Sequence, residues 1–121
     1  MVFKVKSMAL TGTLLAIVPE LAAAASIEAG RSLAVMGCAA CHQVTPGQKR
    51  PAPVAEGEEG PHVQAPTFAQ IAARCQPAAQ LRAEVANPHY PMREQLFQPM
   101  DLDDITAYIG SLAPGKACPT P

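Results

Sequence analysis

Cys38-Ala39-Ala40-Cys41-His42 decides how the rest of this chain is read. Two thiols separated by two residues, with a histidine directly after them, form the attachment pattern of a c-type haem. The thiols add across the two vinyl groups of the porphyrin. Those vinyls sit on neighbouring pyrroles, and one helical turn spans the gap. The same turn swings the His42 imidazole under the iron as the proximal ligand. Two other uses of a cysteine pair fit less well. A redox dithiol expects a strand–helix–strand setting, and no strand pattern surrounds the motif. A zinc site expects a second Cys or His pair at close spacing, and none follows. One haem c, bound covalently through Cys38 and Cys41, is the expectation.

On the N-terminal side, Ile27 to Val35 reads as a short helix leading into the haem turn, with Ile27, Leu33 and Ala34 sharing one face. Gly30 lies within it. A glycine inside a helix costs about 1 kcal/mol relative to alanine, so a close helix crossing is the reason to expect. Further back, Lys4 and Lys6 precede a short apolar run, Met8 to Val18, broken by Pro19. Leu21-Ala22-Ala23-Ala24-Ala25-Ser26 then offers small residues in an Ala-x-Ala arrangement. Residues 1–25 therefore read as a secretory signal peptide cut after Ala24 or Ala25. The apolar run is too short for an uncleaved anchor, which needs about 20 residues to span a bilayer. Export to the periplasm follows, with no stable membrane insertion after cleavage.

Composition agrees with a small exported cofactor domain. Residues 26–121 make one domain, with no Trp and few aromatics in the chain. Side chains alone would give a thin core. A buried porphyrin supplies the missing apolar area at about 25 cal/mol per Å², so the apo chain should fold poorly. Losing Lys4, Lys6 and Glu20 with the leader takes the formal charge from −1 to −2. Nothing here provides the basic face that nucleic acid requires.

On the C-terminal side, residues 43–65 are rich in Pro, Gly, Glu and Gln and show no apolar period, so 46–65 reads as a long loop insertion. Lys49 and Arg50 at one end, and Glu56, Glu58 and Glu59 at the other, are candidate partner contacts on an otherwise solvated segment. Thr67 and Gln70 form a capping-box pattern opening a helix that should end near Cys75-Gln76. Phe68, Ile71 and Ala72 share its inner face. Pro77 suits a first helical position for a helix over 78–86, with Leu81 and Val85 inward. Asn87-Pro88-His89-Tyr90-Pro91-Met92 is a stiff extended stretch. The last helix should run from Asp101, its N-cap, to Leu112, with Leu102, Ile105, Tyr108, Ile109 and Leu112 as its apolar stripe.

The far side of the iron has five candidates: Met36, His62, His89, Met92 and Met100. A thioether raises the reduction potential relative to a second histidine. Met36 is too close to Cys38 to cross the haem plane. Met100 abuts the last helix, where packing is the commoner role. Met92 ends the proline-stiffened stretch, which loses little entropy in holding a weak ligand.

With these motifs together, the chain resembles a small bacterial class I cytochrome c. Gly30 stands eight residues before Cys38, and Pro66, Thr67, Phe68, Ile71 and Ala72 match a run that many members carry after the haem motif. Pro88, His89, Pro91 and Met92 match a Pro-His-x-Pro-Met segment, and Tyr108-Ile109-Gly110-Ser111-Leu112 matches the C-terminal run. Tyr108 stands sixteen residues after Met92 but only eight after Met100, a register that selects Met92. The resemblance covers residues 26–121 apart from the 46–65 insertion.

It implies an all-α fold of about four short helices around one haem, with His42 and Met92 as iron ligands. It also implies that the Pro66 carbonyl, with Pro61 as runner-up, accepts the His42 ring proton, and that Gly30 crosses near Tyr108. Where many members have an aromatic residue, this chain has Ala34, which suggests a looser crossing. Cys75 and Cys118 lie outside the family pattern. In an exported chain they are most simply a disulfide tying the C-terminal tail to the middle of the protein.

An iron saturated from both sides is built to change charge, not to bind substrate. The expected role is a periplasmic carrier of single electrons between redox protein partners: a dehydrogenase, an oxidase or another cytochrome. The alternative is a haem c subunit of a periplasmic dehydrogenase complex, for example one oxidising sulfite or an alcohol. No nucleophile–base set suggests catalysis by the chain itself.

Overall fold

A computed structural model describes residues 24–55, 57–115 and 118. Most of the expected leader, and Glu56, lie outside the described residues. Four helices follow in order: α1 (Ile27–Gly37), α2 (Phe68–Ala72), α3 (Ala78–Ala86) and α4 (Pro99–Ser111). Between α1 and α2 sits a two-stranded antiparallel hairpin, β1 (Val54–Ala55) and β2 (His62–Val63), with Val54 opposite Val63 and Ala55 opposite His62. The all-α architecture holds with that one addition. The hairpin escapes periodicity because each strand is two residues long and flanked by proline or glycine.

The fold is organised on α4. It packs against α1, α2 and α3, and those three do not pack on one another. The stripe read from the sequence explains why. Leu102, Ile105, Tyr108 and Ile109 are buried, and Leu112 is half-buried against the same cluster. Ala34 from α1, Phe68 and Ala72 from α2, Leu81 from α3 and the loop residue Val44 complete the core, with Val85 packed on its edge.

Helix ends differ from expectation in instructive ways. α4 starts two residues early because Pro99 takes its first position, where a missing N–H costs nothing. Asp101 is then the third helical residue, and its carboxylate accepts from the Gln98 backbone N–H at 2.9 Å. Met100 consequently lies inside the first turn of α4, 60% exposed. α2 has the expected capping box: Gln70 N–H donates to Thr67 Oγ1 at 3.0 Å, and Thr67 N–H donates to Gln70 Oε1 at 2.8 Å. It ends at Ala72, short of Cys75, whose φ of 53° lies in the left-handed region and cannot continue a helix. That turn brings Cys75 to Cys118, with Cα atoms 5.1 Å apart. α3 has the expected bounds, with Pro77 as its N-cap rather than its first helical residue.

The α1–α4 crossing also differs. Gly30 meets α4 one turn before Tyr108: a Cβ there would fall on the Asp104 carbonyl, 2.9 Å from Ile105 N. Ala34 is fully buried in the same contact. The small residue lets the backbones approach, so the crossing is close rather than loose. Ile27, expected on the inner face, is 52% exposed, and Gly30 and Ala34 form that face instead.

Candidate functional site

The motif folds as one turn leaving α1. Cys38 N–H donates to the Ala34 carbonyl at 2.9 Å, and the Cys38 carbonyl accepts from Cys41 N at 3.2 Å and His42 N at 2.9 Å. This turn sets both thiols and the imidazole from one short stretch of backbone. Both cysteines are half-buried and unbridged. Burial, and then the neighbouring Cys41, push the Cys38 thiol up to about 11. It therefore stays protonated at neutral pH, a poor state for dithiol exchange, which needs a thiolate. Among the described residues, no three His, Cys, Asp or Glu converge as a metal-ion cluster.

His42 is 9% exposed and its Nδ1 lies 2.7 Å from the Pro66 carbonyl. A carbonyl can only accept, so Nδ1 carries the proton and Nε2 keeps its lone pair for a metal. Pro66, not Pro61, takes this bond. The ring is backed by Phe68 at 5.7 Å between centroids, and Phe68 by Tyr108 at 6.3 Å. Tyr108 Oη donates to the Val44 carbonyl at 2.7 Å. The last helix thus holds the segment immediately after the imidazole.

Gln48 adds a lock that no motif announces. Its Oε1 accepts from Val44 N–H at 2.9 Å, and its Nε2 donates to the carbonyls of His42 and Ala39 at 3.1 Å each. One side-chain amide thereby serves three backbone groups of the attachment turn. The only sequence hint is a glutamine six residues after the histidine, in a stretch otherwise read as loop.

The remaining candidates are more exposed than His42. Met92 is 38% exposed, and its N–H donates to the His89 carbonyl at 2.8 Å in the turn around Pro91. Met36 on α1 is 77% exposed, and His62 and His89 are also exposed. In the insertion, Arg50 donates to the Ala65 carbonyl at 3.3 Å and to Gln70 Oε1 at 3.4 Å, and it is exposed, as are Lys49, Glu58 and Glu59.

The family model for Cytochrome c matches residues 27–113. The chain belongs to the cytochrome c family. Membership makes this a haem-binding electron-transfer domain of the all-α class I type, with haem c attached covalently. No curated protein and no solved structure matches the chain. The donor set fits the cofactor: two unbridged thiols one turn apart, and a buried imidazole whose Nε2 is left unprotonated because Nδ1 carries the proton to Pro66. Among the described residues of this cytochrome c domain, no helix is long and apolar enough to cross a membrane.

Proposed function

We propose that the chain is a periplasmic mono-haem cytochrome c that carries single electrons, with Cys38 and Cys41 as attachment points and His42 and Met92 as iron ligands. The observation that carries this reading is the His42–Pro66 hydrogen bond, which fixes the imidazole tautomer and orientation with which His42 would hold the iron. Haem c, when bound, supplies the one-electron ferrous–ferric couple.

The chain's own residues do the rest. The Pro66 carbonyl accepts the His42 Nδ1 proton and so holds the ring with its opposite nitrogen unprotonated. Phe68 and Tyr108 exclude water behind the imidazole. Met92, in the turn stiffened by Pro88 and Pro91, offers a soft sulfur that favours the reduced state relative to a second histidine. Ala40, in the attachment turn, and the 88–92 segment, which carries Met92, are largely exposed, which would suit electron exchange with a redox partner. In the oxidising periplasm, Cys75 and Cys118 form a disulfide. Closing that loop stabilises by about 4 kcal/mol in the chain-entropy model.

Ferric spectra of the holoprotein test the ligand set. Met92→Ala should abolish the thioether-to-iron charge-transfer band and open the reduced iron to carbon monoxide, while Met100→Ala leaves both unchanged. Loss of the band in the Met100 variant alone would move the ligand to Met100. Intact mass of the exported protein should show one covalent haem and two hydrogens fewer than the chemically reduced form. Purification from the periplasm without a larger companion subunit distinguishes a free carrier from a dehydrogenase subunit.

A further inference from the structure

Asp104 is a buried carboxylate, 7% exposed, in the middle of α4. Burying a carboxylate costs several kcal/mol unless a cation or several hydrogen bonds compensate. Helix α4 carries no Lys or Arg. On α1 the only one is Arg31, which lies 3.7 Å from Glu28. In the other described ion pair, which is exposed, Arg82 engages Asp103 instead. No side-chain cation among the described residues reaches Asp104. Its hydrogen-bond partner is instead a backbone nitrogen: Ser26 N–H donates to Asp104 Oδ1 at 2.6 Å. Ser26 is the N-cap of α1, its Oγ accepting from Ala29 N–H at 3.2 Å.

Ser26 is also the first residue after one of the two cleavage points that the alanine run allows. Resting on the export reading above, we propose that the leader is cut between Ala25 and Ser26 and that Asp104 receives the new amino terminus. Hydrolysis by a signal peptidase consumes one water. Ala25 leaves with the carboxylate, and Ser26 N becomes an α-ammonium. The same nitrogen that donates as a neutral amide then donates as a cation, and the Asp104 carboxylate acquires a charged partner that no described side chain supplies. Ala24 and Ala25 are exposed, so removing them takes no packing away. Gly30 sits on the Asp104 carbonyl one turn along α1, so one residue of α4 holds this helix by its backbone and its amino terminus by its side chain. Asp104 does not direct the cut. It distinguishes the products, because cleavage after Ala24 leaves a neutral Ser26 amide in the site and the ammonium one residue away.

The first measurement is the N-terminal residue of the exported holoprotein, expected to be Ser26. A holoprotein beginning elsewhere overturns this inference alone, and a chain retaining residues 1–25 overturns the export reading with it. The second is a coupling experiment on holoproteins beginning at Ser26 or carrying one added Ala25, each with Asp104 or with Asp104→Asn. Adding Ala25 should raise the unfolding equilibrium constant about tenfold with Asp104 present, the difference between a charge-assisted and a neutral hydrogen bond, and hardly at all with Asn. Equal effects in both backgrounds overturn the pairing. If the Asn variant does not accumulate as holoprotein, selective acetylation of the Ser26 α-amine in the unaltered chain must reproduce the tenfold loss; no loss overturns it.

Discussion

The α1–α4 crossing and the 46–65 insertion are held by opposite means. At the crossing, the α1 backbone at Gly30 lies against the α4 backbone at Asp104 and Ile105, and Ala34 and Ile105 are fully buried. The insertion is braced by side-chain amides and a guanidinium on backbone carbonyls: Gln48 reaches out to Ala39 and His42, while Arg50 on Ala65 and Gln64 on Pro51 at 3.2 Å tie the segment to itself. Its tip turns at Gly57, with φ of 86°, where a Cβ would stand 3.9 Å from the Tyr90 hydroxyl. Apolar contact of the first kind is non-directional and leaves no room for added atoms. Hydrogen bonds of the second kind are directional and individually small, so an insertion can be carried without disturbing the core.

This contrast is sharpest at the glycines. Gly30→Ala should destabilise the holoprotein by about 3 kcal/mol, because the added methyl meets backbone that cannot yield. The check is the denaturant midpoint at an unchanged slope. If the variant is as stable as the parent, the crossing is not a backbone contact.

Gln48→Ala comes next. It should cost about 2 kcal/mol, since it strands the Val44 N–H and removes support from the attachment turn. Hydrogen exchange at Val44 should quicken in the same variant. An unchanged Val44 rate would show that the insertion does not lock the turn.

Gly110→Ala on the same helix should act in the opposite sense to Gly30→Ala. Gly110 is exposed with nothing near its missing Cβ, so alanine should add about 0.8 kcal/mol through helix propensity. A loss at this position would mean that the outer face of α4 is covered in solution. The smallest effect should be Arg50→Ala, under about 0.5 kcal/mol, because both of its bonds are exposed. Thermal unfolding that separates Gln48→Ala from Arg50→Ala would show that the support of the insertion is concentrated at its first anchor.

Much of the site was legible before folding. Cys38, Cys41 and His42 are joined by covalent spacing, and the Thr67–Gln70 cap and the α4 stripe are local patterns that three or four residues establish. The bounds of α3 were legible for the same reason, with proline before the helix and Asn87-Pro88 after it. What could not be read were meetings between distant groups of no special type. Gln48 is an ordinary loop glutamine until Val44 and His42 are placed around it. Asp104 looks like a solvated helix carboxylate until α1 brings Ser26 to it. Gly30 meets α4 one turn from the expected Tyr108, because a glycine announces that something comes close without saying what. The β1–β2 pairing is too short to have a period, and the end of α2 at Ala72 follows from the left-handed turn at Cys75.

The sequence by itself determined the attachment chemistry, the helical complement and the apolar face of α4, because each depends on neighbours a few residues apart whose geometry covalent bonds restrict. The tertiary structure alone decided which carbonyl takes the imidazole proton, which backbone lies against Gly30 and which nitrogen answers the buried Asp104. Those contacts join residues 24, 74 and 78 positions apart, and no local energy distinguishes one distant partner from another until the chain has closed around its core.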